Sequence, residues 1–513
     1  MIDKPLRQVF ATFTLLVLVT LSAVGFAQDP VQGGTLHVAV ATEPPSLDPF
    51  GPAGIAGHRF TVLLYENLVR LTPDMAIEPW LAESWETPDD RTYVFHLRDD
   101  VVWHNGDPFT AANVKAVVEY IQNPETAASG RGDLTVIESI EVQDPHTIVF
   151  HLNRPAGGLL GALSYPWTSI VHPSLLEDPE TMNQIAIGTG PFRLDEWRRG
   201  AQLRLVRNEA YYRSGIPRLD EVLVQVVPDE SSIIASLRAG NLDLTLLTDN
   251  TRADSIAEDA GLEVIAGEQL GYWFLVVNNS VPPFDNLLVR QALSYAIDRD
   301  EVLLVAAEGN ADLTGPLPPA MGEWTVPVSE YASFTRNVER ARELLAEAGF
   351  PNGVSAQFTY IAGYPLMEPI AATIQAHAAE AGIQLVLQPV DYSIWLNRLN
   401  VERDMPLTIN LLSGFADPDA WLYNRFHSEG YNQANWNQPE VEALLEEGKS
   451  TTDRAGRIEV YKDLQRLLVE RVPYIWLFTP HQIHVAQDEL RGFVQHPTTF
   501  YYGLDEAWLE QGN

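Results

Sequence analysis

The sequence predicts an α/β protein of two lobes, because two strand-helix-strand units occur far apart along the chain. Their segments are strand 221–227, helix 231–239 and strand 242–246 in the first unit, and strand 357–361, helix 369–381 and strand 383–387 in the second. Gly240 and Gly382 directly follow the two helices, where glycine commonly ends a helix. A helix between two such strands predicts a right-handed crossover between parallel neighbours. Each unit therefore predicts the sheet of one lobe.

Three further strands and a helix are predicted for the first lobe. Residues 35–41 alternate apolar and polar side chains after Gly33-Gly34, which indicates a half-buried strand, and the prolines after Glu43 end it. A helix is predicted over 55–67. The apolar segments 262–266 and 273–277 predict two more strands, which we assign to this same lobe.

The second lobe is predicted to begin with a helix capped by Asp285. Apolar residues follow Asp285 at helical spacing, namely Val289, Ala292, Leu293 and Ala296. Further along, residues 407–412 read Leu-Thr-Ile-Asn-Leu-Leu, which indicates a buried strand of the same lobe.

The segment after Glu78 has a different character from either lobe. Residues 92–97 and 101–103 predict two short strands. Thr110 can cap a helix whose apolar face is formed by Val114, Val117, Val118 and Ile121. Asn123-Pro124 ends that helix.

Composition excludes several classes of protein. The chain has 513 residues, 46% of them hydrophobic, which is enough for two to four folded domains and argues against disorder. Its formal net charge is −36, and such an acidic chain is not expected to bind nucleic acid or anionic lipid. Cysteine is absent, so neither disulfides nor a lipidated cysteine anchor are possible.

The N-terminus resembles a secretory signal. Lys4 and Arg7 precede an apolar run from Val9 to Phe26, and Gly25-Phe26-Ala27 is a small-x-small cleavage site. We therefore predict that residues 1–27 are a signal peptide removed after Ala27. The mature chain should be periplasmic and not lipidated. The run is marginal for a spanning helix, so an uncleaved anchor is the less favoured alternative.

The chain lacks the common catalytic and cofactor motifs. There is no phosphate loop, no His-Glu-x-x-His and no Gly-x-Ser-x-Gly elbow, and we predict no cofactor. His481 and His484 lie in a strand-like segment, where residues three apart point to opposite faces. We therefore predict structural or surface roles for these histidines and no metal site.

The best candidate for a binding site is the loop that follows the strand 407–412. It carries Phe415, Asp417, Asp419 and Trp421. In open α/β sheets ligands lie beyond the carboxyl ends of the strands, so two carboxylates and two aromatic rings there can face a ligand. An Asp-Pro turn packed under an aromatic ring is an equally open interpretation.

Several motifs, in chain order, resemble family 5 of the extracellular solute-binding proteins, the receptors that feed peptide and nickel ABC importers. They are Glu78 to Trp85 (EPWLAESW), Tyr93 to Thr110 (YVFHLRDDVVWHNGDPFT), Gly188 to Phe192 (GTGPF), Val206 to Tyr212 (VRNEAYY), Val289 to Leu293 (VRQAL) and Ala341 to Leu345 (ARELL) with Gly349. The resemblance extends from about Gly33 to Phe493.

This resemblance implies a two-lobed periplasmic binding protein fold of type II, cluster C-like, with an extra third domain. The implied division places 28–70, 185–276 and 480–513 in lobe I, 71–184 in the extra domain inserted in lobe I, and 277–479 in lobe II. The implied partners are a small-molecule or peptide ligand, and an ABC permease with its ATPase in the inner membrane. The protein is expected to be a monomer.

The resemblance also suggests ligand-binding residues. Peptide receptors of the family hold the ligand's amino terminus with an Asp near an Asp-Pro segment, and Asp417 resembles that residue, although Asp419 could match instead. Arg131, Tyr165 and Trp167 lie where the extra domain approaches the cleft. Tyr272 and Trp273 precede the expected crossing between lobes and could line the cleft or pack in the core. For Arg131, a surface ion pair is the alternative.

The predicted function is a receptor that closes two lobes over a solute, most simply an oligopeptide, without catalysing a reaction. Gly363-Tyr364-Pro365 lacks the arginine with which dipeptide receptors bind the ligand carboxylate. A nickel, metal-chelate or oligosaccharide receptor is the alternative within the family. A secreted hydrolase using Asp417 and Asp419 as an acid/base pair is a remote alternative from another class.

Overall fold

A computed structural model describes residues 30–51 and 53–510 of the chain. The predicted signal peptide lies outside the described residues. Within them, no helix is both long enough and apolar enough to cross a bilayer.

The first lobe contains a seven-stranded mixed sheet. Its strands, in spatial order, are Leu262–Gly267, Gln482–Gln487, Leu244–Leu246, Thr35–Val40, Glu221–Val226, Gln202–Arg207 and Phe192–Arg198. Thr35–Val40 pairs in parallel with both strands of the predicted crossover unit, Glu221–Val226 and Leu244–Leu246. The crossover helix Glu230–Arg238 begins at Asp229, whose side chain accepts a hydrogen bond from the Ser232 amide. The other helices of this lobe are Gly54–Leu64 and Ala253–Ala257.

The second lobe contains a six-stranded sheet. Its strands, in order, are Ala311–Leu313, Tyr474–Pro480, Gly271–Val277, Leu407–Ser413, Val354–Ile361 and Ile383–Val390. The predicted crossover unit is present, with Met367–Ala381 as its helix and Gly382 in the left-handed region at φ +93°. The remaining α-helices of this lobe are Leu287–Ala296, Arg299–Ala307, Val338–Glu347, Tyr392–Asn397, Pro418–Phe426, Pro439–Ser450 and Arg454–Arg471.

Two predictions for these elements were wrong. The strand Gly271–Val277 lies in the second sheet, between Leu407–Ser413 and Tyr474–Pro480, and not in the first lobe. Every residue of this strand is buried, so its sequence does not alternate and does not reveal which sheet it enters. The helix predicted to start at Asp285 is capped by Asn286, whose side chain accepts from the Leu288 amide at 2.9 Å.

The third sheet is four-stranded and antiparallel. Its strands occur in the chain between Thr35–Val40 and Phe192–Arg198 of the first lobe. Its strands are Ala82–Asp89, Thr92–Leu97, Thr147–Leu152 and Ile137–Asp144, and its α-helices are Ala111–Gln122, Arg131–Leu134 and Leu159–Leu163. Thr110 and Asn113 form a capping box at the start of Ala111–Gln122, as the predicted cap requires. The predicted strand 101–103 is reduced to a single bridge between Val102 and Pro108. Two small ribbons pair Val69–Leu71 with Ile77–Pro79 and Leu490–Arg491 with Trp508–Leu509.

The hydrophobic cores define which parts form one packed body. The core of the first sheet is continuous with that of the four-stranded sheet, as shown by Leu36, Phe95 and Val222 in one cluster. The second sheet has its own core, which contains Phe274, Phe358 and Trp476. The chain passes between the two large sheets after Gly267 and again at His481.

Candidate functional site

Three cavities that share lining residues lie between the two cores and together line the cleft. The aromatic cavity, of about 290 Å³, is lined by residues 132–167 on one side and 415–449 on the other. The middle cavity, of about 190 Å³, shares Tyr165 with it. The large cavity, of about 760 Å³, shares Arg59, Gln269, Pro480 and Thr499 with the middle cavity. Clefts lined from two lobes are where ligands of such proteins are enclosed.

Tyr165 and Trp167 bring the four-stranded domain to the aromatic cavity. Their ring centroids are 4.1 Å apart, and Trp167 meets Phe415 of the opposite lobe edge-on at 6.1 Å. The Tyr165 hydroxyl donates a hydrogen bond to the Gly414 carbonyl at 2.7 Å. These contacts place three of the predicted aromatic residues together and join the two sides of the cleft.

Asp133 is the carboxylate on the four-stranded side of the aromatic cavity. Its Oδ2 accepts a hydrogen bond from Trp167 Nε1 at 2.8 Å, and its side chain remains exposed to the cleft. Surrounding protein atoms raise the pKa of Asp133, while the Trp167 bond lowers it and the nearby charge of Asp417 raises it. Within the described ranges, no Lys, Arg or His forms an ion pair with Asp133.

Asp417 lies across the cavity and is already engaged by its own chain. Its Oδ1 accepts from the Asp419 amide at 2.9 Å, which caps the helix Pro418–Phe426. Arg457 donates to both of its carboxylate oxygens, at 2.6 Å each. The Asp417 and Arg457 side chains are only 14% and 3% exposed. The negative charge of Asp417 is therefore compensated without a ligand.

Asp419 is half-buried behind Asp417. Its Oδ1 accepts from the Tyr461 hydroxyl at 3.1 Å. Burial, followed by the charge of Asp417, raises the pKa of Asp419 to about 6. Two cations also line this cavity: Arg154, which is exposed, and Lys449, whose Nζ lies 3.4 Å from the centroid of the Tyr423 ring.

Trp421, Tyr272 and Trp273 support the cleft in different ways. Trp421 is fully buried and its Nε1 donates to the Phe415 carbonyl at 2.7 Å, which fixes the loop that carries Phe415. Tyr272 stacks on Trp421 at 5.0 Å. Trp273 lines the middle cavity and contacts Tyr364 at 5.8 Å. Trp421 therefore has a packing role, which is the alternative that the sequence left open.

Arg131 does not line any of the three cavities. Its Nε donates to the Gln122 carbonyl at 3.1 Å, and the side chain is exposed. Sequence reasoning selected this arginine and missed Asp133, two residues later on the same helical turn. An Asp in the short segment between Arg131 and Leu134 carried no motif that would have distinguished it from many other acidic residues.

The two histidines considered as metal ligands are separated in the structure. His481 pairs with Asp312 at 2.7 Å, whereas His484 is buried and its pKa is lowered to about 3 by that burial. No group of three or more metal-ligating side chains occurs among residues 30–51 and 53–510.

Comparison with known proteins identifies the family. The model of "Bacterial extracellular solute-binding proteins, family 5 Middle" matches residues 76–433, well over half of the chain. The chain belongs to this family. As a member, it is a periplasmic solute-binding protein of an ABC importer, and its relatives are receptors rather than enzymes.

Relatives of this family 5 chain span nearly its whole length. Heme-binding protein A of Haemophilus influenzae is 29% identical over 481 residues, covering 86% of each chain. Glutathione-binding protein GsiB of Escherichia coli is 26% identical over 486 residues, covering 92% of this chain and 94% of GsiB.

Solved structures agree with the fold. The binding protein AgaA of A. tumefacien R10, in complex with agropinic acid, superposes with a TM-score of 0.75 at 28% identity, covering 94% of this chain and 99% of AgaA. HbpA2 of Haemophilus parasuis has a TM-score of 0.84 at 24% identity, covering 93% of this chain and all of that one. The two-lobed binding-protein fold is therefore shown.

Proposed function

We propose that this receptor binds a solute with an ammonium group, most simply a short oligopeptide with a free amino end, and that Asp133 receives that group. The observation that carries the proposal is the Asp133 carboxylate, which faces the aromatic cavity with one hydrogen bond from Trp167 and no cationic partner among the described residues. Two relatives are named for heme and glutathione, and AgaA was solved in complex with agropinic acid, so family membership alone does not choose the ligand.

Closure of the cleft would strengthen the attraction between Asp133 and an ammonium group. An exposed carboxylate is stable while water fills the cleft, but excluding water makes an unpaired charge costly. A ligand ammonium would then compensate Asp133 in a low-dielectric space, where charge pairs are strongest. The faces of Tyr165, Trp167 and Phe415 would add cation-π attraction to the same group.

Asp417 was the residue first predicted to receive the ammonium, and that role stays a prediction. The Arg457 pair already compensates its charge, which makes Asp133 the stronger candidate. We propose that Asp417 instead holds the loop that carries Phe415.

We also propose how the solute is delivered. Because the cavity is lined from both sides, a bound solute would contact both lobes in the closed form, and its higher affinity for that form would favour closure. The closed receptor, a monomer, would then pass the solute to the permease and its ATPase in the inner membrane.

Calorimetry with an alanine tripeptide and its N-acetylated form tests this proposal. The wild type should bind the free amine and discriminate against the acetylated peptide. Asp133→Asn should lose about 2–5 kcal/mol of binding free energy, the typical effect of removing one member of a buried charge pair. Asp74→Asn, a change at an exposed residue that lines none of the three cavities, is the matched control. If Asp133→Asn keeps the full discrimination, Asp133 does not receive the ammonium.

A further inference from the structure

The middle cavity contains a cation that the protein does not neutralise. Arg59 projects from the helix Gly54–Leu64 and lines both the middle and the large cavity. Among the residues that the structure describes, its guanidinium forms no hydrogen bond and no ion pair, and its Nε is buried without a partner. A buried donor without an acceptor is costly, so this arrangement indicates a missing polar group.

Thr499 lines the same two cavities as Arg59 and also has a buried polar atom without a hydrogen-bond partner among the described residues. Its Oγ1 is buried without a hydrogen-bond partner in the described part of the chain. Its backbone has φ +68°, a left-handed conformation that is strained for a β-branched residue. Strain of this kind persists where the surroundings enforce it, frequently at ligand sites.

The acidic residues near Arg59 are engaged elsewhere. None of the described residues that line the middle cavity is Asp or Glu. In the large cavity, Asp249 accepts from the Thr251 hydroxyl at 2.6 Å and forms an ion pair with Arg252 at 3.2 Å. The protein therefore supplies donors in the middle cavity and no anion to meet them.

The cleft connects this cation to Asp133. Tyr165 lines both the aromatic and the middle cavity and packs against Trp167, which bonds Asp133. His58, the neighbour of Arg59, contacts Trp167 edge-on at 6.3 Å. Tyr165 and Trp167 therefore link the cavity that Asp133 lines to the cavity that Arg59 lines.

We infer that Arg59 and Thr499 form an anion subsite that receives the carboxylate of the ligand, and that the ligand is a zwitterion with separated charges. This inference rests on the proposed function for the ammonium end. The arginine of this subsite comes from the first lobe, whereas Gly363-Tyr364-Pro365 of the second lobe contributes none.

The test compares an alanine tripeptide, its C-terminal amide and its N-acetylated form by calorimetry. The wild type should bind the free acid at least about 30-fold more tightly than the amide, the low end for a desolvated charge pair. Arg59→Gln should lose that preference but keep the discrimination against the acetylated form. Arg59→Lys should retain part of the preference, and Thr499→Gly should weaken binding of the free acid while raising the melting temperature.

Arg131→Gln is the matched control, because Arg131 is an exposed arginine that lines none of the three cavities. It should behave as the wild type. Arg154→Gln removes the arginine of the aromatic cavity, and loss of the acid preference in this variant and not in Arg59→Gln would overturn the subsite. The subsite would also be overturned if the wild type binds the free acid and the amide equally, or if it does not bind the free acid. If the wild type prefers the free acid to the amide but binds the N-acetylated form equally well, only the role of Asp133 would be overturned.

Discussion

Arg457 donates two parallel hydrogen bonds of 2.6 Å to the carboxylate of Asp417, and both side chains are shielded from solvent. Gly158 and Gly161 of the four-stranded domain pack directly on this pair, and a Cβ built on Gly161 would lie 3.1 Å from the Asp417 Cβ. The ion pair therefore forms part of the contact between the two sides of the cleft.

We predict that removing Arg457 alone destabilises the second lobe more than removing the charges of both Arg457 and Asp417. Arg457→Leu should lower the free energy of unfolding by about 3–5 kcal/mol, because it leaves the Asp417 charge buried and uncompensated. The double variant Asp417→Asn with Arg457→Leu should lose less. Urea unfolding followed by tryptophan fluorescence measures both. Equal losses in the single and double variants would show that the charge of Asp417 is not the cause.

Asp417→Asn by itself separates structural support from ligand recognition. Asparagine can still cap the helix Pro418–Phe426, so the fold should persist. We expect the variant to unfold at a lower urea concentration yet still distinguish a free peptide from its N-acetylated form in calorimetry. If Asp417→Asn loses that discrimination and Asp133→Asn keeps it, Asp417 and not Asp133 would be the residue that receives the ammonium group.

Closure of the cleft should be visible in solution. The two cores are separate and the chain passes between the large sheets twice, which permits hinge motion. Small-angle scattering should give a smaller radius of gyration when a bound peptide is present. Gly161→Leu should remain expanded, because its side chain would meet Asp417 and hold the lobes apart. Identical ligand-induced compaction of Gly161→Leu would contradict this interpretation of the contact.

Glu66 should make stability depend on pH. It is buried, and the Tyr211 and Tyr212 hydroxyls donate to its Oε1 at 2.7 and 3.1 Å. Burial raises the pKa of Glu66 from 4.5 to about 7, although these hydrogen bonds lower it. The folded state therefore holds this proton more tightly than the unfolded state, so the contribution is present below pH 4.5 and is lost as pH rises to about 7.

The variant Glu66→Gln removes this proton. The stability of the wild type relative to Glu66→Gln should fall by up to about 3 kcal/mol between pH 4.5 and pH 7, since each pKa unit corresponds to about 1.4 kcal/mol. Melting temperatures of both proteins across this range measure the difference. A constant difference would mean that Glu66 does not titrate there.

Export can be tested independently of the ligand. The pattern ending in Ala27 predicts that the N-terminal sequence of the exported protein begins at Gln28. Edman sequencing of the periplasmic fraction checks this. Intact protein retained in the membrane fraction would contradict it.

Local sequence determined much of the architecture. Both crossover units, the stop at Gly382 and the capped helix after Thr110 were predicted, because periodicity, caps and glycine stops depend on neighbouring residues. The family motifs, including EPWLAESW and GTGPF, were likewise readable without coordinates, and the family match confirms them.

Tertiary structure decided what the local pattern could not. The strand Gly271–Val277 is apolar throughout, so only its distant partners place it in the second sheet. Asp417 and Arg457 are 40 residues apart, and the roles proposed for Asp133 and Arg59 depend on which charges lack partners among the described residues. Charge compensation is a property of neighbours in space, and a sequence lists the charges without showing which of them the fold brings together.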